Sequence, residues 1–362
     1  MRLGIERRQH DFRVMTFLSP VLAVLLTLAA GMLIFLWQGH SPLQTLHALF
    51  IAPVSSWHGI AQLGVTTIPI LLCALGLAIC FRASIWNLGA EGQFVMGALV
   101  GGYVALEWVD TLGIIALPAA LLSGTSAGLA WAAIPAFLRN HCHTSEILTT
   151  IMLNYIALNL LLFGVQGPLL DSHSLDFPQS APFKGAVTLP IRIEDTWLHP
   201  GLLFALPAIV AVWVLMGRSF VGFQLRVTGL NRNAARYAGF NEKKLVYFSF
   251  LSCGALAGLA GISEVTGPVG QLMPQVSSGY GYAAITVAFL GRLHPAGITL
   301  ASPLTALVYM DGMAGSINIF PGLLLMFLLT CDFLAGYRIR LRHYTAVVEQ
   351  TSAATITNAV KG

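Results

Sequence analysis

Apolar and polar positions follow one another along this chain in long blocks. Ten apolar runs approach the length needed to cross a bilayer, because about 20 helical residues span its hydrocarbon core. The runs occupy residues 15–37, 60–81, 92–107, 112–138, 147–166, 200–216, 245–266, 279–292, 296–313 and 318–335. The third, sixth and eighth are the short ones. The pattern predicts an all-α polytopic membrane protein with about ten transmembrane helices in a single domain over residues 1–362.

Composition and charge agree with this pattern. The chain is 56% hydrophobic and 9% charged, whereas soluble domains carry roughly 25% charged residues. Ten spans place both termini on one side, and 17 of the 19 Lys and Arg residues then fall on that side. Because positive charge concentrates in cytoplasmic loops, both termini are predicted to be cytoplasmic. This topology defines a cytoplasmic N-terminal segment 1–14, an external loop 167–199, a cytoplasmic loop 217–244 and a cytoplasmic tail 343–362.

The two halves of the chain carry related breaks. NLGAEGQFVMGALVGG follows the second run, and SSGYGYAAITVAFLGR follows the seventh at the opposite predicted face. Both are Gly-rich and lead into a new helix. This arrangement is typical of inverted repeats, and it predicts two inverted halves, spans 2–5 and 7–10, joined by the loop 217–244.

The loop 217–244 is the one long polar interruption, with six basic residues against one acid. Asn231 is a suitable N-cap, because its side-chain oxygen can accept from free backbone N–H groups. Gly239 can adopt the left-handed conformation that ends a helix. A helix this short is marginal alone, and its small alanines offer no apolar stripe to its own core. We therefore expect it to meet a partner.

A second motif, FRASIWNLGAEGQFVMG, covers Phe81–Gly97. Asn87 can satisfy backbone groups at the break between helices. Glu91 falls in the first turn of the following helix, where the positive end of the helix dipole favours a carboxylate. Glu91 therefore has two possible roles: it gates a substrate path, or its charge stabilises the helix start.

Further polar residues lie in the apolar runs: Gln93, Asn154, Tyr155 and Asn159. They can bind a polar solute or join helices through hydrogen bonds. Glu264, Asp311 and Asp332 lie near run ends, where ordinary solvation is expected. No series of carboxylates and histidines runs through the membrane, which disfavours a proton-coupled pump.

The sequence lacks the motifs of several common active sites and binding sites. There is no G-x-x-x-x-G-K-[ST] loop for ATP and no H-E-x-x-H. The five cysteines form no C-x-x-C pair, and His141-Cys142-His143 has no second ligand group at a useful spacing. The chain is predicted to be non-catalytic, with no metal and no bound cofactor of its own.

The motifs GAEGQ at Gly89–Gln93 and GLN-x-x-AARYAG at Gly229–Gly239 resemble those of a known family. They are similar to permease subunits of bacterial ABC importers of the ribose and branched-chain amino-acid type, closest to the nucleoside and simple-sugar branch. The resemblance implies that the segment Asn231–Gly239 is a coupling helix that docks in a cleft of an ATPase. The residues that fit this pattern are Gly229, Asn231, Ala234, Ala235, Arg236 and Gly239.

The resemblance also implies the partners. These are a second, homologous permease, an ATP-binding subunit with two nucleotide-binding domains that binds ATP and Mg, and an external binding protein or lipoprotein. Asn87, Glu91, Gln93, Asn154, Tyr155 and Asn159 are the candidates for a gate or substrate path. The expected activity is inward transport across the bacterial inner membrane of a small polar solute, foremost a purine nucleoside. The alternative substrates are a sugar, a riboflavin-like compound and an amino acid. Two other functional classes are alternatives: an ion-coupled secondary transporter and, ranked below it, a membrane-embedded enzyme.

Overall fold

The computed structural model describes residues 2–7, 13–37, 39, 41–171, 177–189, 201–310 and 319–342. The first half contains strand β1 (Arg2–Arg7) and helices α1 (Arg13–Trp37), α2 (Pro42–Leu46), α3 (Trp57–Arg82), α4 (Ala90–Glu107), α5 (Val109–Leu112), α6 (Ala116–Cys142) and α7 (Glu146–Gln166). The second half contains α8 (Gly201–Arg218), α9 (Phe220–Leu230), α10 (Arg232–Tyr237), α11 (Glu242–Glu264), α12 (Tyr280–Leu290), α13 (Pro295–Met310), α14 (Ile319–Gly336) and strand β2 (Tyr337–Arg342). Single π-helical turns lie at His47–Ile51 and Val265–Val269.

The described helices form two compact units. The smaller unit comprises Met1–Ala29 and Met326–Gly362. In it β1 pairs antiparallel with β2, a small sheet that the all-α prediction did not include. The Ser19 hydroxyl also donates to the Asp332 carboxylate in this unit. The larger unit, Ala30–Leu325, contains the polar sites described below.

Six helical stretches are long and apolar enough to cross a membrane, among the residues that the structure describes. They are Leu18–Trp37, Trp57–Arg82, Val109–Cys142, Glu146–Gln166, Gly201–Arg218 and Glu242–Val269. The prediction of a polytopic all-α membrane protein is confirmed in this form. The count of ten spans and the inverted repeat stay predictions. Part of the predicted external loop, at 172–176 and 190–199, and the whole predicted tail 343–362 lie outside the described residues, as does Asp311.

Helix α3 forms the centre of the larger unit. In its most apolar 18-residue window 83% of the residues are buried, and α8, α11, α12 and α13 pack around it. Its buried side chains are almost all apolar, among them Ile70, Leu72 and Leu75. A helix that is hydrophobic on all sides is stable only when other elements surround it, so α3 anchors the helices that carry the polar sites.

Helices α4, α6 and α11 meet through small residues. A Cβ atom on Gly97 of α4 would lie 2.4 Å from the Cα of Gly258 on α11. A Cβ on Gly128 of α6 would lie 2.6 Å from the same atom. Helices approach this closely in membranes where small residues line both surfaces. The contact holds α4 tightly against α11 and so fixes the position of the helix that carries Glu91.

Candidate functional site

The first polar site lies where α3 gives way to α4. Residues 83–89 form no regular structure between Arg82 and Ala90. Asn87 is fully buried there, and its side-chain oxygen accepts from the N–H of Gly89 at 2.9 Å. The amide of Gln93, also buried, lies 3.4 Å from that of Asn87. The predicted role of Asn87 at the break is confirmed.

Glu91 connects two helices at their N-terminal ends. It lies in the first turn of α4 and is only 3% exposed. Its carboxylate accepts from the N–H of Gly281 in the first turn of α12, at 2.8 Å. The backbones meet so closely that a Cβ on Gly281 would lie 2.3 Å from the Glu91 nitrogen. One carboxylate thus faces the positive ends of two helix dipoles.

Asn154 joins α7 to the same place. Its side-chain oxygen accepts from the N–H of Gly92 at 2.9 Å. Its amide donates to the carbonyl of Leu88 at 2.8 Å and to the hydroxyl of Tyr282 at 3.1 Å. All of these groups belong to α4, α7 and α12 or to the break before α4. Asn154 therefore fixes the start of α4 and the side chain of Tyr282 together.

These bonds place the site deep within the helices. Asn154 is eight residues from Glu146 at the start of α7, and Tyr282 is eight residues from Leu290 at the end of α12. At 1.5 Å per residue each is about 12 Å from that end of its helix. We call this end of the bundle, where Arg82, Arg139 and Arg292 lie, the basic end.

Two predicted path residues do not join this cluster. Tyr155 is 59% exposed, and Asn159 is exposed, with its amide donating to the Tyr155 carbonyl at 2.8 Å. Both point away from the buried side on which Asn154 lies. The structure therefore brings together Asn87, Glu91, Gln93 and Asn154, but not Tyr155 and Asn159.

Sequence reasoning missed a second buried acid. Glu264 was expected to be solvated at a run end, but it is only 6% exposed, and its Oε2 has no hydrogen-bond partner among the described residues. Nearby, the ring of Tyr280 lies 5.9 Å from those of Phe94 and Tyr309. The sequence feature next to Glu264 is the Gly- and Pro-containing stretch VTGPVG, which forms a π-helical turn at Val265–Val269.

The second polar region is the segment around α10. The Asn231 side chain accepts from the N–H groups of Asn233 and Ala234, at 2.9 and 3.1 Å. Gly239 has φ of +76° after the last turn. Both predicted helix ends are thus confirmed. The surface of the segment is open, since Tyr237 is 96% and Leu230 82% exposed.

One predicted contact residue faces the other way. Ala235 is only 4% exposed and packs within this chain, whereas Ala234, Arg236 and Ala238 are exposed. Two adjacent alanines on a helix point about 100° apart, and their composition alone gives no sign of which one is buried. The side chain of Ala235 is therefore buried within this chain, and docking of the segment on an ATPase stays a prediction.

Gly229 ties this segment to the first site. A Cβ on Gly229 would lie 2.2 Å from the carbonyl oxygen of Arg82. Ser84, within the break, donates to the Gly229 carbonyl at 2.9 Å. Glu146 at the start of α7 accepts from the Trp86 N–H at 3.1 Å and pairs with Arg139 at 2.8 Å. The break before α4 is thus held to α9 on one side and to α7 on the other.

A cavity of about 580 Å³ lies beside α10 at the basic end. Glu242 pairs with Arg232 at 3.7 Å and with Arg236 at 3.4 Å along it. The lining residues include four basic and two acidic ones: Arg139, Arg232, Arg236, Lys243, Glu146 and Glu242. The excess of positive charge suits an acidic group from a partner. Among the described residues no group of three or more His, Cys, Asp and Glu can hold a metal ion.

Comparisons with known proteins place this geometry in context. The family model described as the permease component of branched-chain amino acid transport systems matches residues 59–330. The glucose ABC transporter permease protein of Haloferax volcanii is 34% identical over 358 residues, covering 94% of each chain. The guanosine ABC transporter permease protein of Bacillus subtilis is 33% identical over 80% of this chain and 84% of its own. The nucleoside ABC transporter permease protein of Lactococcus lactis is 30% identical over 83% and 85%. No solved structure matches the chain.

Proposed function

Because the chain belongs to the family of ABC transporter permeases described as the branched-chain amino acid transport type, we propose that it moves a nucleoside inward by alternating access. Proteins of this family are multi-pass membrane subunits that work with ATPases and substrate-binding proteins. They are generally non-catalytic. We therefore assign ATP and Mg²⁺ binding, and hydrolysis, to partner subunits.

The cargo proposal rests on the relatives. The names of two similar permeases specify guanosine or nucleosides, and the name of a third specifies glucose. All three cargoes are rings that carry several hydroxyl groups. A sugar is accordingly the competing cargo, ahead of a riboflavin-like compound or an amino acid. Uptake assays with guanosine and glucose separate the two leading candidates.

The ATPase contact is assigned to the exposed segment around α10. The observation that carries the proposal is the exposure of Tyr237, at the end of the short, capped helix α10, and of Leu230, the last residue of α9. An isolated helix of six residues does not persist in water, so its caps and the packing of Ala235 hold it here. Its exposed side is left for a partner. Ala234, Arg236 and Tyr237 form the contact surface, while Asn231, Gly239 and the buried Ala235 maintain the helix.

The bonds of the break offer a route from this contact to the solute path. Movement of α10 pulls on Gly229, which is bonded to Ser84. The break then displaces the start of α4, and Glu91 carries that displacement to α12 through Gly281. Because these helix ends are bonded to one another, a displacement of α10 can be converted into rocking of helices deeper in the bundle.

We further propose the assembly and placement of the chain. It pairs with a second, homologous permease, one ATP-binding subunit with two nucleotide-binding domains and an external binding protein. It lies in the bacterial inner membrane with both termini cytoplasmic. The positive charge at the basic end supports this orientation.

Ala234→Glu tests the docking proposal. Ala234 is exposed, so the added charge and bulk leave the fold of this chain intact and obstruct only a partner. We expect substrate-stimulated ATPase activity and uptake by the purified complex to fall at least tenfold. Ala296→Glu, at an exposed position in the first turn of α13, is the matched control. Full stimulation of the Ala234→Glu complex would refute the docking assignment.

An ion-coupled secondary transporter is the rival class. Its uptake would persist without ATPase partners and would collapse with the ion gradient. Uptake by proteoliposomes that contain the chain alone, measured with and without a gradient, distinguishes the two.

A further inference from the structure

Two exposed tyrosines stand out at mid-depth in the bundle. Tyr282 on α12 is 42% exposed and Tyr155 on α7 is 59% exposed. Tyr155 directly follows Asn154 on α7. Tyr282 accepts from the buried Asn154 amide at 3.1 Å, which fixes its orientation. Both exposed tyrosines therefore lie next to the same hydrogen bond near the start of α4, and we call the pair the aromatic patch.

The depth of this patch argues against an ordinary lipid-facing surface. Both tyrosines lie about 12–14 Å from the basic end along their helices, at 1.5 Å per residue. The hydrocarbon core is about 30 Å thick, so with the basic end placed at one of its boundaries the two tyrosines fall near its middle. Tyrosines that face lipid concentrate at the two interfaces, where the hydroxyl reaches water. Asn154 already donates to the Tyr282 hydroxyl, so a further polar neighbour is needed only for the O–H of Tyr282 and for the hydroxyl of Tyr155.

The surroundings favour a solute as that neighbour. Glu91 and Gly281 bring the N-terminal ends of α4 and α12 together directly beside Tyr282. Interrupted helices that meet near the bilayer midplane form solute sites in several transporter folds. Toward the basic end, Trp86 continues the exposed aromatic surface at 46% exposure, with its ring stacked 6.1 Å from that of Phe289 on α12.

We propose that Tyr155 and Tyr282 contact the transported solute, and that they select a planar or ring-shaped polar molecule by stacking. The inference rests on the proposed transport function and names the part of this chain that meets the cargo. An aromatic face and a ring pair with offset stacking, and the hydroxyl rim of the same side chain accommodates polar substituents. Asn154 is the positioning residue that orients Tyr282. Trp86 offers the next ring on the way to the basic end.

The test compares ring removal with hydroxyl removal in the assembled complex. Tyr282→Leu and Tyr155→Leu remove the ring, whereas Tyr282→Phe and Tyr155→Phe keep it. Radiolabelled guanosine and glucose are the probes. For whichever probe the wild-type complex imports, we expect the leucine variants to raise KM or lower uptake at least tenfold. The phenylalanine variants should stay within about threefold, because the stacking face remains.

Tyr103→Leu is the matched control, since Tyr103 is 46% exposed on α4 and 13 residues beyond its start. It should transport as the wild type does. Wild-type uptake by the leucine variants would overturn the inference. Loss of co-purification with the second permease would also overturn it, because the patch would then be a subunit interface. If Ala234→Glu has no effect while the leucine variants do, the docking proposal fails and the solute contact stands.

Discussion

At the residue scale, Glu91 shows how one side chain can join distant parts of the chain. Its bond to Gly281 spans 190 positions of sequence, and its charge faces two helix N-termini. Glu91→Gln keeps the shape and one acceptor but removes the charge. We expect a loss of about 1 kcal/mol of unfolding free energy for each helix end, measured by unfolding of the purified protein in detergent.

Glu107→Gln is the matched control for this change. Glu107 is exposed in the last turn of α4, where a negative charge opposes the helix dipole, so its removal should leave stability unchanged or slightly raised. A Glu91→Gln protein as stable as the control would contradict the proposal that Glu91 stabilises the starts of both α4 and α12. Normal import by a less stable Glu91→Gln protein would assign Glu91 to the helix start and not to gating.

At the element scale, the ends of α10 were predictable because capping is local. Asn231 and Gly239 each act within four residues of themselves, so the sequence contains the whole signal. The face that α10 buries was not predictable, since Ala234 and Ala235 have the same side chain. The meeting of α4 with α12 was also hidden, because a bond across 190 residues leaves no periodic pattern.

The same capping logic predicts the outcome of Asn231→Ala. The change removes the acceptor for two backbone N–H groups and costs about 1 kcal/mol of helix stability. For a six-residue helix this loss is large enough to unfold α10 while the bundle stays folded. We expect substrate-stimulated ATPase activity to fall severalfold, with unchanged thermal unfolding of the bundle. Asn233→Ala, an exposed neighbour of the same type, should keep wild-type stimulation, and equal loss in both variants would argue against the cap.

At the scale of the whole molecule, the orientation proposal depends on the charge at the two ends of the bundle. The α6–α7 connection and α10 share the basic end, and the exposed Cys142 lies at the first of these. Ile114 and Gly185, both exposed, each lie one crossing away from Cys142 in the ten-span topology, Ile114 before it and Gly185 after it. They should therefore face the opposite side from Cys142 and Tyr237.

Labelling of intact cells with a membrane-impermeant maleimide measures this directly. Cys142 is the exposed free cysteine among the described residues, since Cys73, Cys80, Cys253 and Cys331 are buried. It serves as an internal reporter, and Tyr237→Cys adds a second in a background with Cys142→Ala, expressed without the ATPase subunit that would cover position 237. Both should label only after permeabilisation, because positive charge stays on the cytoplasmic side. Ile114→Cys and Gly185→Cys should label in intact cells. Labelling of Tyr237→Cys from outside would reverse the orientation, and opposite behaviour of positions 114 and 185 would refute the ten-span topology.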